Sequence, residues 1–440
     1  MRVLSASALG SLCTAALLLP PVVPAAASTV AEQDAAADVR TADVRTGDAR
    51  TGADRRASLG STRSLPLPPA DVSDRARQND QDVSQDSRDA GVGGARELAP
   101  RTVEPFSLLG VVWEDADREL GGQVRVRTRS VRTGEWSEWH DLTEHRGHAA
   151  ERRRGAGPTR GATAPLWVGA SDGVQLRAED AAGNLPRGMR LELVRPGSDE
   201  PPAEGEPAGR RGGSDGTTLP ALDRERTKAA AESRGSAGTY DPKGEHIAPR
   251  PAIVTREGWG ADPNLREPGH AYTDAVRTAF VHHTAGSNGY DCSEAPRIIQ
   301  AIHRYHVKSS GWRDIGYNFL VDKCGKIYEG RAGGVAKPVR GAHTLGFNEN
   351  SMGVAVLGSY DKTEPSRQAR DAVAELAAWK LGLYGVDPRG TSGMTGEDGA
   401  RQRMDAISGH RDGFATECPG DLLYGRLDEV RATAARSQGR

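Results

Sequence analysis

Aromatic residues are absent from the first 105 positions of this chain and again between Trp167 and Tyr240, and this distribution limits where it can fold. Aromatic side chains supply much of the buried area of a core. A segment without them, built from Ala, Asp, Arg, Ser and Gln with no hydrophobic period, cannot offset the entropy of ordering itself. The chain has 440 residues, of which 54 are Gly and 26 Pro, so ordered domains are expected to alternate with unstructured stretches. The formal net charge of −2 gives no case for nucleic acid or an anionic membrane as partner.

The N-terminus reads as an export signal over 1–27. Arg2 is followed by an apolar stretch from Leu4 to Leu19, and Ala25-Ala-Ala27 offers a small-residue cleavage site before Ser28. The stretch is short for a membrane span of about 20 residues, so no membrane anchor is expected after cleavage. Cys13 lies inside the signal and follows Leu12, not a small residue, which argues against a lipid anchor there. Three cysteines then remain, Cys292, Cys324 and Cys418. In an oxidising compartment two can pair and the third needs a reason, metal ligation or a partner chain. The count does not say which two pair.

Residues 28–101 read as a disordered low-complexity tail containing a short repeat, Val39-Arg-Thr-Ala-Asp followed by Val44-Arg-Thr-Gly-Asp. Over 102–196 the pattern changes. Leu108 to Trp113 is an apolar run, Gln123 to Arg129 alternates, and Trp136 and Trp139 follow a Thr133-Gly134 turn. Short strands with Gly-rich turns predict a small all-β sandwich, with both tryptophans in its core and stacking on sugar rings as the weaker use for them. Residues 197–245 read as a Pro/Gly/Ser-rich linker. From 246 to 440 strands and helices intermingle: strands at Ala279–His283 and Met352–Leu357, a hairpin around Asp322–Gly325, and helices at Ser293–Ser309, Ser366–Tyr384 and Leu422–Ala434. This predicts an α/β domain with a mixed sheet flanked by helices.

His410 and Cys418 stand eight positions apart on a polar loop, and His282-His283 closes a strand. Alternation puts one of that pair on each face without saying which. Two imidazoles and a thiolate with an open fourth corner would form a catalytic type of zinc site. An equally compatible reading has the His pair ending a strand, His410 capping a loop and Cys418 in a disulfide.

Six segments occur in a telling order. They are Val281-His-His-Thr-Ala-Gly286, Gly311-Trp-Arg-Asp-Ile-Gly-Tyr-Asn-Phe-Leu320, Ile327-Tyr-Glu-Gly-Arg331, Gly341-Ala-His-Thr-Leu-Gly-Phe-Asn348, Ser351-Met-Gly-Val-Ala-Val356, and Gly409-His-Arg-Asp with Cys418-Pro-Gly. Together they resemble the peptidoglycan recognition protein family, within the type-2 N-acetylmuramoyl-L-alanine amidases, over about 246–434. The resemblance implies zinc held by His282, His410 and Cys418, with Tyr317 and Thr416 as active-site residues. It implies His343 and Asn348 as contacts to a muramyl peptide, for which the residues themselves equally suggest a loop-supporting hydrogen bond. With Cys418 on zinc, Cys292 and Cys324 are left as a disulfide. The implied activity is cleavage between N-acetylmuramic acid and L-alanine of the peptidoglycan stem, by an exported protein acting at the cell wall. Family members without the Cys bind peptidoglycan and do not cut it, which makes non-catalytic recognition the alternative. Two departures stand out: Thr416 occupies a position where many relatives have Lys, and Ala332-Gly-Gly334 replaces the aromatic that often follows Glu-Gly-Arg. His303 and His306, spaced as packing residues on one helix, are not expected to be ligands.

Overall fold

The computed structural model describes residues 60–68, 95–145, 159–180, 184–197, 216–232, 244–397 and 399–440. The expected export signal and the tandem repeat lie outside the described residues. No helix among the described residues is long and apolar enough to cross a membrane.

The N-terminal domain is all β. Its strands are β1 (Ser61–Pro66), β2 (Ala95–Trp113), β3 (Gln123–Ser130), β4 (His140–Leu142), β5 (Gly161–Ala162), β6 (Leu166–Glu179) and β7 (Arg190–Arg195). All pair antiparallel in the order β1-β7-β2-β6-β3-β4, with β5 also on β2. The long strands β2 and β6 slip register at Leu98/Arg101 and twice between Thr102 and Leu108. Such irregularities bend a sheet, and inward residues Leu98, Phe106, Leu109, Val124, Leu176 and Leu191 share one core.

Two readings of this region need correcting. Strand β1 and the first residues of β2 fall inside the stretch expected to be structureless. Leu65 and Leu67 bury their side chains there, and β1 pairs along β7 from Ser61↔Arg195 to Pro66↔Arg190. A six-residue strand with one inward leucine, and a second just past its end, carries too weak a period to stand out. Trp136 and Trp139 are half-buried and outside the core. The Arg127 guanidinium lies 5.3 and 5.2 Å from their ring centres and that of Arg177 5.2 Å from Trp139, so cations stack on the rings that were expected to face inward.

The segment read as a linker also contributes structure. Thr218–Leu219 forms β8, and α1 spans Arg224–Glu232. Arg224 donates to the carbonyls of Ile247, Ser437 and Gln438, so polar contacts to the far end of the chain hold α1 where an apolar stripe is lacking.

The second domain holds β9 (Ile253–Val254), β10 (Thr278–His283), α2 (Ala295–Arg304), β11 (Phe319–Val321), β12 (Ile327–Glu329), β13 (Ser351–Val356), α3 (Arg367–Gly382), β14 (Thr391–Thr395), β15 (Arg401–Asp405), β16 (Ile407–Gly409), α4 (His410–Gly413), α5 (Asp421–Tyr424) and α6 (Leu427–Gln438). Its mixed sheet runs β16-β10-β13-β11-β12-β9-β8, with β10, β13, β11 and β16 parallel. The predicted first helix is three pieces: a 3-10 turn at Cys292–Glu294, then α2, then a π turn over Tyr305–Ser309. The predicted last helix is two, α5 and α6. Helix α3 matches its reading, capped by Ser366, whose hydroxyl accepts the Ala369 N–H at 3.1 Å.

Alternation along the strands makes two cores. Val281, Val354 and Val356 face α3 and α6. Leu320 and Ala355 face α2, whose Ile298, Ile299 and Ile302 also pack against Leu108, Trp167 and Val194 of the β domain. Helix α2 is thus buried between the two domains. Trp259 and Trp312 are core residues.

Cys292 and Cys324 form a disulfide with Cα atoms 6.3 Å apart, across a separation of 32 residues. It ties the turn entering α2 to the β11–β12 hairpin. Replacing both with Ala is expected to lower the unfolding free energy by about 2–4 kcal/mol, read as a fall in the urea midpoint.

Candidate metal centre

The centre is built at the C-terminal ends of parallel strands, where open α/β sheets place their sites. In β10, alternation sends Val281 into the α3–α6 core and His282 to the opposite face, fully buried. Next to it, β16 pairs Val281↔Gly409, so the first residue past β16 is His410, its ring centre 4.5 Å from that of His282. The α4 turn is held by Asp412, whose carboxylate accepts the Gly409 N–H at 2.8 Å and the Tyr424 hydroxyl at 2.6 Å. The chain then loops back: the Arg411 N–H donates to the Cys418 carbonyl at 3.0 Å. This sets Cys418 Sγ 3.7 Å from His282 Nδ1 and within reach of the His283 N–H at 3.4 Å.

Ligand atoms of His282, His410 and Cys418 all lie within 4.8 Å of one another. Tetrahedral zinc with typical Zn–N and Zn–S bonds separates N from S by about 3.6 Å, so the observed His282–Cys418 spacing fits. The donor set is that of a borderline-soft cation. Burial, and then the neighbouring His410, holds His282 in its neutral, ligating form, well below the usual imidazole range. Burial pushes the Cys418 thiol up to about 12, partly opposed by the His283 N–H. A divalent cation would reverse that and favour the thiolate.

The other member of the pair, His283, is not in this ligand group, although it lines the neighbouring cleft. Its Nδ1 accepts the Tyr360 N–H at 3.3 Å, bracing the loop after β13.

Tyr317 and Thr416 join the cluster. The Tyr317 ring is 5.4 Å from His282 and 1% exposed, and burial raises its phenol well above the ordinary range. Thr416 Oγ1 accepts the Cys418 N–H at 3.3 Å. Both line a cleft of about 750 Å³ that also reaches His410 and Cys418.

His343 and Asn348 are placed differently. Both are buried, and neither lines that cleft. Asn348 Oδ1 accepts the N–H groups of His343 and Thr344 at 2.8 and 3.1 Å, tying its own loop. The His343 ring packs edge-on to His282 at 5.4 Å. On α2, His303 Nε2 lies 2.9 Å from Asp314 Oδ1. In the π turn that follows, His306 Nδ1 accepts the Gly316 N–H at 3.3 Å. Both are packing residues.

Sequence reasoning missed Asp361 and Glu417, which line the cleft, and five β-domain residues from Asp141 to Ala164 that line it too. One signal did exist. Leu108 to Trp113 is apolar at every position, the mark of a strand covered on both faces.

Residues 272–421 match the family described as N-acetylmuramoyl-L-alanine amidase, and residues 61–208 match the Rv3811 N-terminal galactose-binding domain-like family. A peptidoglycan-recognition protein, SC1a/b, of Drosophila simulans is 31% identical over 191 residues, spanning 42% of this chain and 88% of that protein. Peptidoglycan recognition protein 1 of Bos indicus is 32% identical over 184 residues, 39% of this chain and 80% of that one. An N-acetylmuramoyl-L-alanine amidase of Homo sapiens is 33% identical over 183 residues, 40% of this chain but 28% of the human protein.

Proposed function

This chain belongs to the peptidoglycan-recognition protein family, and from that premise we propose that it is an exported, zinc-dependent hydrolase. Its reaction is cleavage of the amide bond between N-acetylmuramic acid and L-alanine of the peptidoglycan stem. The observation that carries the reading is the convergence of His282, His410 and Cys418, with ligand atoms within 4.8 Å of one another, beside a cleft that His410 and Cys418 line. A recognition module that does not cut has no need of a complete two-His, one-Cys set.

These three residues would hold the zinc. When bound, zinc supplies a Lewis acid that activates water and polarises the amide carbonyl. The rest falls to the chain. Tyr317 keeps its phenolic proton at working pH and donates it from Oη to the oxygen on which charge develops. Thr416 Oγ1 already accepts the Cys418 N–H, which leaves its own hydrogen to donate into the cleft. Being uncharged, Thr416 stabilises an oxyanion less than the Lys of many relatives would. His343 packs against His282 from behind, and Asn348 fixes the loop that carries His343. Their role is positioning.

The purified full chain should carry one zinc per molecule by elemental analysis, and His282→Ala and His410→Ala should each lose it. Full zinc retention in either variant would remove the basis of the reading.

A further inference from the structure

The cleft beside the metal ligands is not lined by one domain alone. His283, Tyr317, Asp361 and Thr416 belong to the sheet-and-helix domain, whereas Asp141, Thr143, Glu144, His145 and Ala164 belong to the β domain. We propose that the β-domain wall is a substrate-contacting half of the cleft, so that a muramyl peptide is held between the two domains. This rests on the hydrolase reading and adds to it the surface that sets substrate affinity.

The wall is fixed in place by the domain interface. Leu108, Val112, Trp167 and Val194 share one apolar core with Ile298 and Ile302. Tyr305, in the π turn after α2, reaches β2 and donates its hydroxyl to the Thr163 carbonyl at 3.0 Å. Gly110 makes this approach possible, because a Cβ there would fall 2.4 Å from the Tyr305 hydroxyl oxygen. Ser309 Oγ donates to Glu192 at 3.2 Å, and the Arg160 N–H to the Ser310 carbonyl at 3.2 Å. Domains joined only by a linker make small polar contacts; this interface is apolar and interlocked.

The backbone of the wall is equally pinned. The His145 N–H donates to the Ala162 carbonyl and the Ala164 N–H to that of Thr143, both at 2.8 Å. The His145 ring crosses the domain boundary, edge-on to His306 at 5.6 Å and Trp312 at 5.7 Å. Asp141 accepts from Gln123 Nε2 at 2.8 Å and Glu144 from the Leu120 N–H at 3.1 Å. Both of these donors are neutral groups that orient the carboxylates.

The chemistry of the lining indicates what fits. Asp141, Glu144, Asp361 and Glu417 line the cleft, and among the described residues no Lys or Arg does. Carboxylates accept from hydroxyl and amide N–H groups, which a sugar-linked peptide carries in number, and repel polyanions.

The test uses the full chain with a soluble muramyl pentapeptide. Thr143→Trp fills the cleft from the β side and Asp141→Lys reverses its charge; both positions are exposed. Val131→Trp, on the same domain outside the cleft and 49% exposed, is the control. The expected result is that both cleft variants raise KM and weaken calorimetric binding by about tenfold or more. Zinc content, melting temperature and kcat should stay near wild type, and the control should be unchanged. Wild-type KM and affinity in both cleft variants would overturn the proposal. A wild-type chain that binds the peptide without cutting it would overturn the hydrolase reading alone, since the binding comparison still tests the wall. A chain that does neither would overturn both.

Discussion

Cys418→Ala is expected to abolish hydrolysis of the muramyl-alanine bond while leaving the fold intact. The Cys418 side chain is half-buried, and among the described residues the hydrogen-bonding neighbours of its sulfur are His282 and the His283 backbone. Its loss therefore costs stability little, and the melting temperature of the metal-free chain should fall by no more than a few degrees. Its effect on zinc is large. Two imidazoles retain a divalent cation far less firmly than a three-donor set, so elemental analysis should show well below one zinc per chain. Without the cation, neither a nucleophile at neutral pH nor a polarised carbonyl is available, and kcat/KM is expected to fall by at least about 10³-fold. Cys418→Ser should behave alike, because an alkoxide is a poor substitute for a thiolate at neutral pH.

Tyr317→Phe is expected to separate binding from chemistry. The substitution removes one oxygen and keeps the ring that packs 5.4 Å from His282. If Oη donates to the developing oxyanion, its loss should lower kcat by about 10²–10³-fold, with KM within threefold of wild type and zinc content unchanged. A fall in zinc content together with activity would mean that the ring supports the ligands and that its hydroxyl has no part in the reaction. Thr416→Val, measured alongside, should show a smaller loss, since an aliphatic hydroxyl donates more weakly than a phenol.

The parts of the molecule legible in the sequence are those whose signal is local. Strands β10 and β13 carry the apolar runs Ala279–Val281 and Met352–Val356, and α3 carries both a Ser cap and an apolar face. What escaped depends on distant partners. Helix α1 is held by Arg224 against carbonyls at the far end of the chain, and no window of sequence shows that. Strand β16 is three residues long, yet it sets His410 beside His282. Periodicity passed over it, and only the order of the family motifs pointed to the pair. Trp136 and Trp139 were read as core because tryptophans in short strands usually are, whereas Arg127 and Arg177 cover them from outside. The docking of the two domains was the largest gap. The apolar stretch of β2 showed that both its faces are covered, but which surface covers the second face follows only from the three-dimensional arrangement around α2.

Digestion of purified peptidoglycan by the full chain, with products identified by mass spectrometry, tests the central claim most directly. The full chain is the right reagent, because removing the β domain would expose the apolar surface around α2. The account predicts soluble stem peptides that begin with an unblocked L-alanine amine, absent from digests with Cys418→Ser and from digests with a zinc chelator. Retention of the protein on the polymer with no peptide released, unchanged by Cys418→Ser, would contradict it and make the chain a recognition protein.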